Sequence, residues 1–470
     1  MKGRGPRDRR RTPQGLKPTA PSGSAARLKS CPDTKPQSVR SGSAATHLVQ
    51  IEKPIYGGAF LARVEGKAVF VPLTLPGEQA RVQVVEEKRS YATAEVEEIV
   101  TAAPERVAPA CRHFGACGGC QYQHAEYAAQ IEFKKAILRE TLERGGVQAP
   151  EEIAVLAADP WGYRNRIRVA FDAEGKPGYR GRRSHAVVPI TECPIAAPLL
   201  VRAALAAGEI VRERELELRP SEIALFCDAD ESSLLATVVT SGVAKGDLDE
   251  FARALAERIQ ELSGAEFMVD SRDGLPARRV AQWGASSLLY MVHGRTGGFA
   301  YRVDHGAFFQ VNRWLVDALV ERVASEDKGG LAWDLFAGVG LFARALTERV
   351  AQVVAVESAP AARAALAENL RGVSATAVKA MTLEFLQGAR RQERPDLIVV
   401  DRPRAGLGAE TTALLGEIAA PALIYVSCDP ATLARDLHDL AGAGYAIEDI
   451  ALADLFPQTF HLESVVRLRR

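Results

Sequence analysis

Cys428, close to the C-terminus, follows a short apolar segment and directly precedes a predicted helix in the run 425–432. Downstream, Glu463 lies in the segment 461–464. A thiolate that adds to C6 of a uracil ring places electron density on C5, which can then take a methyl group from a sulfonium. A carboxylate must afterwards remove the C5 proton so that the thiol can leave. These residues therefore predict covalent carbon methylation of a pyrimidine, with Cys428 as nucleophile and Glu463 as base.

The predicted helix after Cys428 also bears on the reactivity of the thiol. The positive end of a helix lowers the pKa of a thiol that lies next to it. We therefore expect the pKa of Cys428 to lie below its ordinary value.

A glycine-rich segment, 334–340, ends one predicted strand and turns into a helix. Gly338 and Gly340 let the backbone approach a ligand closely and adopt conformations that a Cβ forbids. The next predicted strand ends at Glu357, about twenty residues on, where a carboxylate can accept both hydroxyls of a ribose. This pattern predicts a nucleotide-type cofactor.

Three observations narrow the class of cofactor. No Lys-Ser or Lys-Thr pair follows the glycines, so the segment is not a phosphate-binding P-loop. The third glycine that nicotinamide enzymes usually have after the first two is absent. A further predicted strand ends at Asp401, and the three features together favour S-adenosylmethionine over a dinucleotide.

These residues need a scaffold, and from about residue 305 the chain alternates between strand and helix patterns. Strands are predicted at 331–335, 352–356, 396–401, 422–427 and 463–468, and helices at 312–325, 340–349, 360–371 and 430–441. Such alternation predicts a mostly parallel sheet that is covered on both faces. The expected fold class is α/β, with a doubly wound Rossmann-like methyltransferase domain over 305–470.

Two further regions precede that domain. Residues 46–104 alternate apolar and polar residues in short stretches between turn signals, which predicts an N-terminal β-barrel of about five strands. Barrels of this OB type often bind RNA, and a purely structural barrel is the alternative. Residues 105–304 are predicted to form a central α+β domain, in which a helix over 122–144 is a candidate to dock on the catalytic domain.

The central region contains a basic strand pattern. Arg164, Arg166 and Arg168 share one face of a segment with period two, and Arg182 and Arg183 follow in a basic turn. Arginines in line can meet successive phosphates or stack on bases. We expect them to contact RNA, and a merely solvated charged face is the alternative.

The chain has seven cysteines, and Cys111, Cys117 and Cys120 lie close together in the sequence. Cys193 is a distant fourth. Structural zinc sites more often use two short cysteine pairs. Three close cysteines and a remote one suit an iron–sulfur cluster better. Zinc, or no metal at all, is the alternative.

Length and charge bear on the number of domains, on the N-terminal tail and on the location of the protein. At 470 residues the chain suits two or three domains. Residues 1–45 contain eleven Lys or Arg and two acids, and eleven minus two leaves +9 on a chain of zero net charge. This tail is rich in Pro, Ser and Gly, so we expect it to be disordered, as an RNA-binding or merely solubilising segment. With no long apolar run and no secretory signal, a cytoplasmic location without membrane contact is the default expectation.

Three segments carry a resemblance to a known family. Residues 308–312, 428–436 and 461–464 are similar to motifs of the RNA 5-methyluridine methyltransferases, which are class I S-adenosylmethionine-dependent enzymes. The resemblance covers nearly everything after the tail, and 46–104 look like that family's RNA-binding TRAM barrel. It implies Cys428 as nucleophile and Glu463 as base.

The resemblance also implies ligand-binding residues. The cofactor contacts would be Gln310, Phe336, Gly338, Gly340, Glu357 and Asp401. The arrangement of cysteines looks like that of members with a [4Fe–4S] cluster, here with the ligands Cys111, Cys117, Cys120 and Cys193.

Two positions depart from the family pattern. Many members have a polar residue where Leu341 stands and a proline where Arg402 stands. Leu341 could remove a hydrogen bond to the amino-acid end of the cofactor, and Arg402 could add a phosphate or base contact. Neither change removes a reacting group.

The expected function is methylation of uridine C5 in RNA by a monomeric enzyme, and cluster-bearing relatives point to 23S ribosomal RNA. The T-loop uridine of transfer RNA is the alternative target. A non-catalytic RNA-binding protein on the same fold is the alternative from a different class. A cytosine-C5 enzyme fits less well, because its catalytic cysteine normally follows a proline in the strand after the glycine loop.

Overall fold

A computed structural model describes residues 46–213, 218–240, 245–269, 277–294, 297–324, 328–389, 391, 394–402 and 404–470. The basic tail, which the sequence predicts to be disordered, lies outside these residues. Within the described part of the chain, no helix is long and apolar enough to cross a membrane.

The N-terminal region is a six-stranded sheet with the strand order β1-β5-β6-β4-β3-β2. Apolar side chains such as Phe60, Val69 and Val71 alternate with polar ones along these strands and are buried together. The strands are β1 (Thr46–Gln50), β2 (Lys53–Pro54), β3 (Ala59–Val64), β4 (Lys67–Pro72), β5 (Gln79–Glu87) and β6 (Tyr91–Thr101). The sequence pattern predicts about five strands here, and the structure has six, of which β2 is very short.

The central region contains a seven-stranded sheet with the order β10-β9-β8-β11-β12-β13-β14, and helices α2 and α3 pack on it. Its elements are α1 (Tyr127–Arg144), β7 (Ala154–Leu156), β8 (Arg166–Phe171), β9 (Pro177–Arg180), β10 (Val187–Pro189), α2 (Pro198–Glu213), β11 (Pro220–Cys227), β12 (Leu234–Thr240), α3 (Lys245–Arg258), β13 (Leu262–Val269) and β14 (Arg278–Gly284). A hairpin of β15 (Ser287–Gly294) and β16 (Gly297–Asp304) follows.

The C-terminal region is built on an eight-stranded sheet with the order β19-β18-β17-β20-β21-β23-β22-β7. Its neighbours are parallel except where β23 pairs with β21 and β22. The elements are α4 (Val316–Ala324), β17 (Gly329–Leu335), α5 (Leu341–Leu346), β18 (Val350–Val356), α6 (Pro360–Asn369), β19 (Ala375–Val378), α7 (Thr382–Ala389), β20 (Leu397–Arg402), α8 (Ala409–Ile418), β21 (Ala422–Ser427), α9 (Pro430–Gly442), β22 (Ala446–Ala453) and β23 (Glu463–Arg469). The expected α/β class is confirmed.

Two elements of the central region join this C-terminal sheet and its helices. Strand β7 pairs in parallel with β22 at the end of the sheet. Helix α1 packs against α9, and a Cβ placed on Gly145 at the end of α1 would lie 2.8 Å from the Cβ of Ala434. The central and C-terminal regions therefore share one sheet and one helical layer.

Candidate active site

The antiparallel pairing of β21 with β23 brings the two predicted reacting residues to one edge of the sheet. Asp401 in β20 lies opposite Val426 in β21, and Ser427 in β21 lies opposite Ser464 in β23. Cys428 follows directly after β21, and Glu463 is the first residue of β23. The pairing of Ser427 with Ser464 therefore places Cys428 and Glu463 side by side, where β21 ends and β23 begins.

The environment of the Cys428 thiol differs from the expectation of a lowered pKa. Burial, followed by the neighbouring charge of Glu463, raises the pKa of Cys428 to about 12, and Arg404 opposes the rise. Asp429 explains why the helix does not help: its carboxylate accepts hydrogen bonds from the amides of Ala431 and Thr432, at 3.1 and 2.9 Å. The positive end of α9 is already neutralised by this cap, and the cap itself adds negative charge beside the thiol.

Glu463 lies in a dry part of the site. Its side chain is only 7% exposed. Burial and the charge of Asp401 raise the pKa of Glu463 well above its usual range, and the guanidinium of Arg404 lowers it. Arg404 also lies 3.0 Å from Nδ1 of His461, measured from Nη2. A carboxyl group with a raised pKa holds a proton well, which is the property that a base at a carbon acid needs.

The predicted cofactor residues meet around the loop between β17 and α5. Gln310 donates from Nε2 to Asp401 at 3.3 Å. Glu357, just after β18, accepts from the amide of Gly338 at 2.8 Å. Gly338 and Gly340 have φ of +56° and +89°, and a Cβ on Gly340 would lie 2.9 Å from Leu366. Glycine at position 340 is thus required both by its left-handed backbone and by this close approach.

Phe336, in the same loop, is a non-glycine residue with a left-handed backbone, at φ +68°. Such residues cost free energy and are often found at functional sites. The guanidinium of Arg402 lies 5.4 Å from the centre of the Phe336 ring, which is within the range of a cation–π contact. The other departing residue, Leu341, is buried, and its carbonyl accepts from the Tyr301 hydroxyl at 2.9 Å.

The four predicted cluster ligands lie in the same part of the central region. Cys117 forms an isolated bridge with Gly181, and the Tyr179 hydroxyl lies 3.8 Å from the sulfur of Cys193. The charge of Cys193 contributes to the raised pKa of each of the other three thiols. Within the described residues, however, no three Cys, His, Asp or Glu side chains are gathered closely enough to form a metal-binding group.

The five arginines predicted to contact RNA all have partners within the protein. Arg164 lies close to the thiols of Cys117, Cys120 and Cys193, whose pKa values its charge lowers. Arg166 donates to the carbonyl of Ala307 at 2.6 Å and lies 4.3 Å from the ring centre of Phe226, and Arg168 forms an ion pair with Glu222 at 2.8 Å. Arg182 and Arg183 both pair with Glu95 of the N-terminal sheet.

Four residues close to the reacting groups were not among the predicted site residues. Arg404 and His461 flank Glu463, and His461 lies in the segment 461–464 that the sequence analysis had singled out. Asp334, at the end of β17, is fully buried, and burial and the charge of Asp401 raise its pKa to about 8. Tyr56, from the N-terminal sheet, donates to the carbonyl of Cys428 at 3.3 Å, and no sequence pattern pointed to it.

A sheet of this order, with a glycine loop after β17 and acids after the neighbouring strands, defines an α/β methyltransferase. A structural comparison agrees with this class. The tRNA (uracil-54, C5)-methyltransferase of Pyrococcus abyssi, solved with S-adenosyl-L-homocysteine, superimposes with a TM-score of 0.72 at 24% identity, over 90% of this chain and 100% of the other. At this identity the likeness establishes the fold.

Sequence comparisons identify the family. Residues 286–470 match the tRNA (Uracil-5-)-methyltransferase family, and residues 45–96 match the TRAM domain. The 23S rRNA (uracil(1939)-C(5))-methyltransferase RlmD of Klebsiella pneumoniae is 33% identical over 88% of this chain and 93% of its own. An RNA methyltransferase of Streptomyces avermitilis is 34% identical over 89% of this chain and 97% of its own. The chain belongs to the family of RNA uracil-C5 methyltransferases.

Proposed function

We propose that this protein transfers the methyl group of S-adenosylmethionine to C5 of a uridine in RNA through a covalent adduct with Cys428. The observation that carries the proposal is the placement of Cys428 and Glu463 side by side at the sheet edge that also holds Asp401. Family membership supports the reaction type.

The chemistry follows from this placement. The Cys428 thiolate adds to C6, and the electron pair of the C5–C6 double bond moves toward C5 and the O4 carbonyl. C5 then attacks the methyl group of the sulfonium, whose S–CH₃ bond breaks to leave a neutral thioether. Glu463 accepts the proton from C5, the double bond re-forms, and the Cys428–C6 bond breaks to release the thiolate.

The loop between β17 and α5 would hold the cofactor. Glu357 would accept the ribose hydroxyls. Gln310 donates to Asp401 at 3.3 Å, and the charge of Asp401 acts on both Cys428 and Glu463. Phe336, Gly338 and Gly340 supply the left-handed backbone that shapes the cradle. A bound sulfonium would also lower the raised pKa values of the surrounding acids and of Cys428, because it brings positive charge into a buried site.

Replacement of the nucleophile tests this mechanism. We expect Cys428→Ala to abolish both 5-methyluridine formation and the release of tritium from RNA labelled at uridine C5. The matched control is Cys227→Ala, which removes a thiol that is buried in the core of the central region. Turnover by Cys428→Ala would refute the nucleophile, and a wild-type protein that binds RNA without tritium release would favour a non-catalytic RNA-binding protein.

We propose 23S ribosomal RNA as the substrate, because relatives that match most of this chain are named for a uridine of that RNA. A fragment of 23S rRNA and a tRNA transcript, offered in equal amounts, separate the two targets. Methylation of the tRNA T-loop alone would overturn this choice. Arg164, Arg166, Arg168, Arg182 and Arg183 stay candidates for RNA contact, and their internal partners would have to be exchanged for phosphates.

We further propose that Cys111, Cys117, Cys120 and Cys193 hold a [4Fe–4S] cluster. Support comes from the four soft thiolate donors, the positive charge of Arg164 beside three of them, and the family resemblance. Metal binding would have to draw the thiols closer together than they lie here. Methyl transfer moves no electron, so the cluster would have a structural role.

Metal analysis of protein purified without oxygen tests the cluster. We expect a brown protein that contains iron and sulfide in equal amounts, and a colourless Cys193→Ser variant. Cys227→Ala, with all four ligands intact, is expected to stay brown. A colourless wild-type protein with stoichiometric zinc would reverse the choice of metal.

A further inference from the structure

A tyrosine of the N-terminal TRAM region reaches into the catalytic centre. Tyr56 lies in the turn between β2 and β3, far from the C-terminal sheet in sequence. Its hydroxyl donates a hydrogen bond to the backbone carbonyl of Cys428 at 3.3 Å. The side chain is half-buried, and burial raises its pKa above the ordinary value, so the hydroxyl keeps its proton and stays a donor.

The ring of Tyr56 is held by the loop that leads to Glu463. It meets the ring of Phe460 edge-on, with centroids 5.5 Å apart, and Phe460 in turn packs against His461 at 4.3 Å. The amide of Phe460 donates to the side chain of Gln121 at 3.3 Å. Tyr56 therefore contacts both segments that carry the reacting groups, one through its hydroxyl and the other through its ring.

The turn that presents Tyr56 is built for close approach. Gly57 and Gly58 both have left-handed backbones, at φ +106° and +87°. A Cβ on Gly58 would lie only 2.6 Å from Cγ of Gln121, in the segment just after Cys120. The turn therefore lies closely against Gln121, and a residue larger than glycine at position 58 would force this side chain to move.

We propose that Tyr56 is a positioning residue that fixes the backbone at Cys428, so that the TRAM region takes part in aiming the thiol at C6. The carbonyl that Tyr56 holds belongs to Cys428 itself, so its orientation and the direction of the Cα–Cβ bond are linked through a single residue. This inference rests on the proposed role of Cys428 as nucleophile. It gives the TRAM region a role in catalysis in addition to any role in RNA binding.

The test compares Tyr56→Phe with Tyr91→Phe. Tyr56→Phe keeps the ring against Phe460 and removes only the hydroxyl, whereas Tyr91 is a tyrosine of the same sheet that packs on Phe70. RNA that contains 5-fluorouridine has no C5 proton to lose, so the covalent adduct accumulates and its rate of formation can be measured in a single turnover. We expect Tyr56→Phe to slow adduct formation about 5-fold, the size of one neutral hydrogen bond.

The same experiment distinguishes the proposal from the other roles. The KM for RNA, the affinity for the cofactor and the melting temperature of Tyr56→Phe should match those of Tyr91→Phe. An increased KM for RNA with an unchanged rate of adduct formation would make Tyr56 an RNA contact and overturn the proposal. A rate equal to that of Tyr91→Phe would overturn it as well.

Alkylation by iodoacetamide without RNA separates this proposal from the proposed function. We expect Cys428 to be alkylated faster in Tyr56→Phe than in Tyr91→Phe, because its backbone is no longer held. If the wild-type protein formed no adduct, the proposed nucleophile would fail while this readout still reported on Tyr56. Equal alkylation rates would show that the hydroxyl does not position Cys428.

Discussion

At the scale of single residues, the candidate active site contains a cluster of buried acids. Glu463 and Asp334 are buried, and burial raises the pKa of both, while the charge of Asp401 raises them further. Arg404 is the cation whose charge opposes the rise at Glu463 and at Cys428. A site with this excess of acids is electrostatically suited to a cationic cofactor.

Glu463 can be tested by removing only its ability to accept a proton. Glu463→Gln keeps the shape of the side chain, so the Cys428 adduct and methyl transfer should still occur. The methylated adduct should then accumulate, because the C5 proton has no acceptor, and a denaturing gel should show a protein–RNA conjugate. A wild-type rate of product release without conjugate would exclude Glu463 as the base.

Asp334 should make the stability of the ligand-free protein depend on pH. Its pKa is raised from 3.8 to about 8, so between these values the folded state holds a proton that the unfolded state has lost. Stability contributed by this proton is present at low pH and declines as pH rises. Asp334→Asn should therefore reduce the decrease in melting temperature as the pH rises from about 4 to about 8. Asp230→Asn, at an exposed acid, should leave the slope unchanged.

The residue types at the candidate site could be read from the sequence, whereas the pKa values of these groups could not. The end of β20 near Asp401 and the end of β21 before Cys428 meet at one edge, as the alternating pattern predicts for parallel strands. Glu463 begins β23 and reaches the same edge because β23 runs antiparallel to β21, which the pattern did not specify. The pKa of Cys428 was predicted in the wrong direction, because it depends on burial and on where Asp429 turns its carboxylate. Tyr56 could not be predicted from the sequence, because its hydrogen-bond partner, the carbonyl of Cys428, lies in another region of the chain.

At the scale of elements, α9 shows how a cap can stabilise a helix and restrain a neighbouring thiol. Asp429→Ala removes the cap and should lower the free energy of unfolding by about 1 kcal/mol. Asp429→Asn keeps an acceptor for the amides of Ala431 and Thr432 but removes the charge, so most of the stability should remain.

Both Asp429 variants should make Cys428 react faster with iodoacetamide at a fixed pH, because the charge of Asp429 contributes to the raised pKa of the thiol. Alkylation followed by mass spectrometry measures this rate, and thermal or denaturant unfolding measures the stability. An unchanged alkylation rate in Asp429→Asn would show that the cap does not restrain the thiol.

Five strands of the C-terminal sheet were predicted to within two residues, but β7, β19 and β22 were not predicted, and two helices begin later than expected. The helix expected from 122 begins at Tyr127, and the amides of Gln121 and Tyr122, which precede it, donate to the carbonyl of Gln458. The helix expected from 312 begins at Val316, because Asn312 is used in a turn with Trp314 and in bonds to the loop after β22. Periodicity along the sequence carries no information on such tertiary partners.

At the scale of the whole molecule, the loop between β22 and β23 is anchored by residues from distant regions. Lys134 of α1 is fully buried, forms an ion pair with the buried Asp454 and donates to the carbonyl of Phe456 at 2.9 Å. Gln130 bonds to both the backbone and the side chain of Gln458 at 2.9 Å. This loop leads into Glu463, so the position of Glu463 depends on α1.

Replacement of the buried Lys134 should therefore lower the stability of the whole fold. Lys134→Met leaves Asp454 buried without its partner, which costs about 3–5 kcal/mol of stability. The adjacent Lys135, whose pair with Glu132 is largely exposed, supplies the control, and Lys135→Met should change stability by less than about 1 kcal/mol. Equal melting temperatures for the two variants would contradict the anchoring role of Lys134.

Strand β7 has a practical consequence for work with fragments of this protein. It contributes Ala154–Leu156 to the outer side of β22, more than a hundred residues before the sheet that it completes. A truncated catalytic fragment that starts near residue 305 would lack this strand, and it would expose the backbone of Ala451–Ala453, where the side chains are buried and apolar. Unprotected strand edges of that kind recruit other chains, so such a fragment should aggregate, whereas a fragment that starts before α1 should stay dispersed.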